Sequence, residues 1–166
     1  MPTHAELLRL RLASGPQSGT QMAKEIGISQ PTATRALAAM GGEVLKIGQK
    51  KGSRYVLRDT GRGFDDVPVF RVDAEGKLKE LGVLSPVRPD GFVFTQIDGM
   101  HLHSDGLPWW LLDMRPQGYL GRAYATRHGA ELGLPHTLKE WTDSHALRAL
   151  LVHGHDVVGH ILLGHV

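Results

Sequence analysis

The chain has 166 residues, of which 41% are hydrophobic and 22% charged, a balance typical of a globular protein with room for one domain or two small ones. No apolar run reaches the roughly 18 residues needed to span a bilayer. The absence of cysteine excludes disulfides, thiolate catalysis and cysteine-ligated zinc. We expect a cytoplasmic protein that has no secretion signal and does not contact membranes.

The net charge of +2 conceals a difference between two parts of the chain. Residues 1–62 contain ten Lys and Arg against four Asp and Glu, whereas residues 63–166 contain nine against thirteen. A basic module favours an anionic partner, and nucleic acid is the commonest. The asymmetry therefore predicts nucleic-acid binding by the first part of the chain.

Three helices are predicted in this basic part. The first covers residues 4–14, with leucines at helical spacing. Ser18 can cap a second helix that ends before a turn at Gly27, and Ser29 can cap a third that carries Pro31 in its first turn. Two helices of this length joined by a short glycine turn are typical of a helix-turn-helix.

A basic hairpin follows the third helix. Residues 44–47 and 54–57 are predicted strands, and the sequence GQKKGS between them has two glycines for the tight loop. In a winged helix-turn-helix the third helix enters the DNA major groove while the hairpin, or wing, lies along the phosphate backbone. The order of these elements predicts that fold.

The predicted DNA contacts are of two kinds. Gln30 can pair with adenine and Arg35 with guanine or a phosphate, while lysines on the wing neutralise phosphates without reading sequence. The alternative is that the lysines form a solvated loop and the module contacts only protein. The predicted DNA-binding residues are Ser29, Gln30, Thr32, Ala33, Thr34 and Arg35 on the helix, and Lys50, Lys51 and Arg54 on the wing. A thymine methyl is the expected contact of Ala33 and of the threonine methyl groups.

The glycine, acid and proline content of GRGFDDVP, residues 61–68, predicts a linker between two modules, 1–62 and 68–166. The predicted strands of the second module are residues 68–73, 77–84, 91–96 and 157–164, and its predicted helices are 116–132 and 146–152. We therefore predict an α+β protein in which a winged helix-turn-helix precedes a small α+β module.

No motif for catalysis is found. The sequence lacks GxSxG and GxxxxGKS, and its ten histidines occur without the spacing of a metal site such as HExxH. The run HGHDVVGH at 153–160, with His101 and His103, leaves a small metal-dependent enzyme as an alternative. We predict no catalytic residue, no metal and no cofactor.

The run SDGLPWWLLDMRPQGYLGRAYATRHGAELGLP, followed by DSHALRALLVHGHDVVGHILLG, resembles the amino-terminal subdomain of HipA-family serine/threonine kinases. The segments VLKIGQKKGSRYVLRD and VPVFRVDAEGKLKELGVL are similar to the YjjJ-type branch, in which a winged helix precedes the HipA-like part. The resemblance implies that the ATP-binding loop and the catalytic and magnesium-binding aspartates belong to a kinase core that these residues lack. We therefore expect no enzyme activity from the chain on its own.

One departure from the family concerns residues 115–118. Toxin members of the family have a Pro-Glu-Gly step where this chain has Arg115-Pro116-Gln117-Gly118. A contact that the family makes through that glutamate is therefore not expected here.

The resemblance also implies a partner, a HipA-like kinase core in cis or in trans. We predict that Trp109, Trp110 and Tyr119 dock this core, because glycines and prolines place their rings on a loop and at a helix start. The alternative is that the rings fill the core of their own module.

Besides the metal-dependent enzyme, two functions are open at this point, and both can hold in one protein. In the first, the chain is a DNA-binding transcriptional regulator fused to the HipA-like subdomain of a toxin–antitoxin protein. In the second, the HipA-like module docks or inhibits the kinase of a split system, and the winged helix serves dimerisation. A homodimer on double-stranded DNA is expected in the first case, with Leu8 and Leu12 of the first helix as its anchors.

Overall fold

The computed structural model describes residues 1–62, 64–112, 118–153 and 161–163. The chain divides into two compact units. The first unit comprises Met1–Asp66 with Leu84–Asp105, and the second comprises Val67–Val83 with Gly106–Val166. The first change of unit falls inside the predicted linker, but residues 84–105 return to the first unit.

Three helices begin the first unit: α1 (His4–Leu12), α2 (Gly19–Ile26) and α3 (Gln30–Ala39). The side chains of Ser18 and Ser29 cap α2 and α3, as the sequence predicts. Gly27 has φ 74°, a left-handed conformation that favours glycine, and the N–H of Ile28 donates to the carbonyl of Ala23. This closed turn fixes the direction in which α3 leaves α2.

The helices enclose an apolar core. Its buried members are Leu8, Leu12, Met22, Leu37 and Leu57. Leu8 and Leu12 have no exposed surface, because they are one turn apart on the side of α1 that faces the other helices. The prediction that these two leucines anchor a dimer is therefore wrong.

Strands β1 (Val44–Ile47) and β2 (Arg54–Leu57) form the predicted antiparallel ribbon. The backbone of Gln17, between α1 and α2, exchanges hydrogen bonds of 3.1 and 2.8 Å with Tyr55, which attaches the ribbon to the helices. At the tip, Gly48 has φ 76°, and an added Cβ would lie 2.7 Å from the carbonyl oxygen of Gly52. The tip therefore requires glycine at position 48.

The other side of the ribbon packs on residues from the second half of the chain. Ile47 and Val56 form a buried cluster with Val87 and Val93. Val93 belongs to β5 (Phe92–Gln96), which pairs antiparallel with β6 (His101–Ser104), a strand that the sequence did not predict. The last part of β4 (Leu78–Pro86) also belongs to this unit.

The segment predicted as a linker is anchored at its start. The side chains of Arg62 and Asp59 form an ion pair of 3.0 Å, and each is only 8% exposed. Arg88 approaches the same carboxylate at 3.5 Å, and the ring of Phe64 stacks on Phe92 with 6.5 Å between centroids. These contacts hold both sides of the undescribed Gly63 within the first unit.

The second unit contains β3 (Val67–Val72), the first part of β4, β7 (Ile161–Leu163), and the helices α4 (Trp109–Leu112), α5 (Gly118–His128) and α6 (Asp143–His153). Strand β3 pairs antiparallel with β7 and neighbours β4. The buried side chains include Leu111, Ala125, Trp141, Leu147 and Leu150. The part of the predicted helix at 116–117 lies outside the described residues. With both units, the predicted mixed α+β class is confirmed.

Candidate nucleic-acid interface

The outer side of α3 presents polar groups. Gln30, Thr34 and Arg35 are exposed, and Gln30 and Thr34 lie one turn apart. The hydroxyl of Thr34 donates to the backbone carbonyl of Gln30 at 3.0 Å, so this bond does not engage the exposed side chains of Gln30 and Arg35. An amide and a guanidinium are the two groups that read adenine and guanine edges in the major groove.

Ser29 and Thr32 hold the start of α3. The Ser29 hydroxyl accepts a 3.3 Å hydrogen bond from the Thr32 N–H and lies 2.8 Å from the Thr32 hydroxyl. These side chains are therefore engaged with each other and with the backbone. Their role in the structure is to fix the amino-terminal turn that carries Gln30.

Ala33 does not belong to the exposed side of α3. It has no exposed surface, because it lies one turn before the core residue Leu37 on the same side of the helix. A buried methyl group cannot reach a thymine. The prediction that Ala33 contacts DNA is wrong.

The cations of the first unit fall into two groups. Arginines in the first group are paired with carboxylates: Arg9 with Glu43, Arg11 with Glu25, Arg58 with Asp66, and both Arg62 and Arg88 with Asp59. Within the described ranges, the second group forms no ion pair and comprises Lys24, Arg35, Lys46, Lys50, Lys51 and Arg54. The excess positive charge of residues 1–62 therefore lies on α2, α3 and the ribbon.

The ribbon carries cations on both of its sides. Lys46 lies opposite Tyr55, which packs against the helical core, so Lys46 is on the side of the helices. Arg54 lies opposite Ile47, which belongs to the cluster on the other side. Sequence reasoning missed Lys46, although its alternation with the apolar Leu45 and Ile47 along β1 could have indicated it.

Arg54 is close enough to His103, on β6, for its charge to change the pKa of that histidine. Burial lowers the pKa of His103, Asp105 at 3.9 Å opposes this effect, and the charge of Arg54 lowers the pKa further. The neutral form of His103 is therefore favoured beside Arg54. Of the predicted wing residues, Lys50 and Lys51 lie at the tip and Arg54 lies on the β6 side.

The two lysines at the tip are exposed within a turn of 3-10 helix, Lys50–Gly52. Lys50 has φ 54°, and a left-handed backbone costs a residue with a side chain about 1 kcal/mol. Hydrogen bonds from Gly52 N–H to Gln49 and from Ser53 N–H to Lys50, both of 3.1 Å, stabilise this turn. Two adjacent positive charges therefore project from a tip of defined shape.

In the second unit the predicted docking residues differ in how much of each side chain is exposed. Trp109 and Tyr119 are 79% and 77% exposed, whereas Trp110 is half-buried. The core position is taken instead by Trp141, which is 4% exposed and donates from its indole nitrogen to the Pro135 carbonyl at 2.8 Å. The alternative that Trp109 and Tyr119 fill the core of their unit is therefore excluded.

The described part of the chain holds no group of three or more side chains placed to bind a metal ion. Nδ1 of His101 lies 2.8 Å from the hydroxyl of Thr95, a contact within one pair of strands. Most of the histidine-rich run, residues 154–160, lies outside the described residues. None of the helices in the described ranges is both long and apolar enough to cross a bilayer.

Residues 64–166, more than half of the chain, match the family model described as "YjjJ-like toxin, middle domain". The chain belongs to the YjjJ-like toxin family. It is 36% identical over 154 residues to Toxin YjjJ of Escherichia coli (strain K12), and the alignment covers 92% of this chain. An alignment of that length cannot be confined to residues 64–166, so the similarity to this YjjJ toxin extends into the helices of the first unit.

The YjjJ-like chain spans only about a third of its relative, because the alignment covers 34% of the Escherichia coli protein. No solved structure matches this YjjJ-like sequence. The family membership thus rests on sequence.

Proposed function

We propose that the first unit is a winged helix-turn-helix that binds double-stranded DNA, with α3 in the major groove and the ribbon as its wing. The observation that carries the proposal is the distribution of charge. Arginines elsewhere in this unit are paired with carboxylates, whereas the cations that form no ion pair within the described residues lie on α2, α3 and the ribbon. Unpaired cations on one set of elements are the electrostatic footprint expected for a phosphate backbone.

The exposed side of α3 would supply the specificity. Gln30 lies in the first helical turn and Arg35 about one turn later, both exposed and both with planar groups that can form paired hydrogen bonds to a base edge. Thr34 lies beside Gln30 and adds a methyl group. The lysines of the tip and Lys46 would supply affinity that does not depend on the base sequence.

The double replacement Lys50→Ala/Lys51→Ala is expected to weaken binding to all duplexes to a similar extent. The slope of log K against log salt should fall by about 0.9 for each phosphate that the protein no longer neutralises. Fluorescence anisotropy over a salt series measures both quantities. Lys77→Ala/Lys79→Ala, which removes the same charge from two exposed positions outside the predicted wing, is the matched control and should leave the slope unchanged. An unchanged slope in the tip variant contradicts the phosphate assignment.

Anisotropy measurements on varied duplexes distinguish the role of α3 from that of the wing. A duplex selected from a random pool by the unmodified chain provides the target, and each base pair is then varied in turn. Gln30→Ala and Arg35→Ala should each cost about 1–3 kcal/mol at one or two base pairs and little elsewhere. Uniform weakening across all sequences would assign these side chains to phosphates.

We also propose that the second unit is a HipA-like amino-terminal subdomain that docks a kinase core, in cis or in trans. The exposure of Trp109 and Tyr119 supports this proposal, because tryptophan and tyrosine are enriched among the residues that anchor protein interfaces. The chain also spans only a third of its relative. In this function the chain would be a DNA-binding regulator joined to the docking part of a toxin–antitoxin protein.

Trp109→Ala/Tyr119→Ala is expected to weaken binding to a separately produced HipA-like kinase core by about thirtyfold or more, the effect of removing a central aromatic anchor. Both rings are exposed, so circular dichroism should show an unchanged fold. Leu78→Ala, which shortens another exposed apolar side chain of this unit, is the control and should bind as the parent does. A folded double variant with parental affinity would remove the docking role from these rings.

A further inference from the structure

Helix α1 has a second stripe that its own core does not use. Leu7, Leu10 and Arg11 follow the spacing i, i+3 and i+4, the pattern of one helical face. This face differs from the one that carries Leu8 and Leu12 into the core. Leu10, in the last turn of α1, is 71% exposed.

A groove of about 470 Å³ lies beside this stripe, between α1 and α2. Its apolar part is formed by Leu7, Leu10 and Ile26. Its charged part is formed by Arg11 and Glu25, whose Nη1 and Oε2 atoms are 3.2 Å apart. This surface therefore combines the exposed Leu10, the groove beside it, and one charge of each sign.

We propose that this groove binds the same groove of a second copy of the chain, so that Leu10 of each copy enters the hollow of the other. A projecting group and a matching hollow on one patch are what a two-fold interface requires, because the same surface is used twice. The charges agree with this occupant: Arg11 and Glu25 form a neutral pair on the groove, and a two-fold axis that passes between them places Arg11 of one copy beside Glu25 of the other. The Glu25 carboxylate would repel a nucleic acid, and the Arg11 guanidinium would repel a strongly basic partner.

The dimer leaves the proposed DNA-binding residues free. None of the unpaired cations on α2, α3 and the ribbon lines the groove, and neither does Gln30. Arg11, the arginine of the groove, is paired with Glu25. The dimer does not depend on DNA and can be tested without it.

Sedimentation velocity of the 166-residue chain over a concentration series, without DNA, measures the association. We expect a reversible monomer–dimer equilibrium for the parent. Leu10→Glu should weaken it by more than about tenfold, since the transfer of one leucine from water accounts for at least that factor. Ile97→Glu changes a side chain of the same unit that is 69% exposed and lies outside the groove, and should dimerise as the parent does. Circular dichroism should show both variants folded.

A charge reversal gives an independent readout. Arg11→Glu should weaken the dimer, and adding Glu25→Arg should restore it, because opposite charges again meet within and between copies. A parent chain that stays monomeric at the highest concentration reached overturns the proposal and leaves the groove to a partner of another kind. A dimer that persists undiminished in Leu10→Glu, or a double reversal that fails to restore association, overturns it as well.

Discussion

Replacing Arg62 with alanine is expected to destabilise the first unit by about 3 kcal/mol, the lower end of the range for breaking a buried ion pair, because Arg88 stays near the Asp59 carboxylate. The Arg62 guanidinium lies 3.0 Å from the Asp59 carboxylate, donates to the carbonyl of Val87, and lies 4.9 Å from the centre of the Phe92 ring. Alanine removes all three contacts. The buried Asp59 carboxylate then keeps its ion pair with Arg88, whose side chain is half-exposed.

Urea denaturation followed by far-ultraviolet circular dichroism measures this destabilisation. The matched control is Arg9→Ala, because Arg9 and Glu43 form a two-point ion pair whose side chains are 43% and 38% exposed. Such an exposed pair contributes less than about 1 kcal/mol. Equal destabilisation in the two variants would contradict the role assigned to burial. The double variant Asp59→Asn/Arg62→Met should recover part of the stability, since it removes both charges.

The same network gives the first unit a defined sensitivity to acid. Burial raises the pKa of Asp59, but the hydrogen bond from the Gly61 N–H and the charges of Arg62 and Arg88 outweigh it and lower that pKa below its ordinary value. A lowered pKa in the folded state stabilises the fold above the ordinary carboxyl value of about 3.9. This stabilisation is lost as the pH falls through the folded value. Asp59→Asn should remove this part of the pH dependence, which urea titrations at several pH values would reveal.

Gly129→Ala is expected to destabilise the second unit by about 3 kcal/mol or more, the upper range for forcing atoms into a packed site. An added Cβ would lie 2.5 Å from the carbonyl oxygen of Ala125 and 3.1 Å from those of Leu134 and Pro135. These atoms belong to the backbone, so no side-chain rotation relieves the overlap. The backbone there is also fixed by hydrogen bonds from Gly129 N–H to Ala125 and from Leu134 N–H to Gly129.

Tryptophan fluorescence reports on this unit, because all three tryptophans of the chain lie within residues 106–166. The control is Ala130→Ser, because Ala130 follows Gly129 directly in the same unit and is exposed. Its free energy of unfolding should stay within about 0.5 kcal/mol of the parent. A Gly129→Ala variant as stable as this control would show that the loop after α5 can open at no cost in stability.

Local signals account for the elements that could be predicted. Ser18 and Ser29 satisfy backbone N–H groups within their own helices, and Gly27 adopts a conformation that depends on its own lack of a side chain. The limits of β1 and β2 follow from the glycines between them in the same way. Each of these signals lies within a few residues of the structure that it specifies, so the sequence is sufficient.

Contacts between distant residues could not be predicted. Asp59 and Arg88 are far apart in the chain, and the meeting of Val56 with Val93 depends on how β5 packs against the ribbon. The glycine and acid content of residues 61–68 therefore predicts a linker, although the Arg62 side chain is buried. In the candidate site, helical spacing correctly places Gln30 and Arg35 on the exposed side of α3.

Ala33 shows a different kind of failure. Its spacing of four residues from Leu37 indicates the core, and that indication conflicts with its assignment to DNA. The side of the ribbon on which Arg54 lies depends on the pairing register, which only the fold reveals.

The cluster on the second side of the ribbon determines where the chain can be divided. A fragment that ended at residue 66 would keep α1 to α3 and both ribbon strands, but it would lack Val87 and Val93, which cover Ile47 and Val56. The uncovered strands would present an apolar surface to other molecules, and such surfaces promote aggregation. A fragment made to test the proposed DNA binding must therefore carry residues 84–105 as well, joined by a short artificial connection or supplied as a second polypeptide, if it is to stay monodisperse.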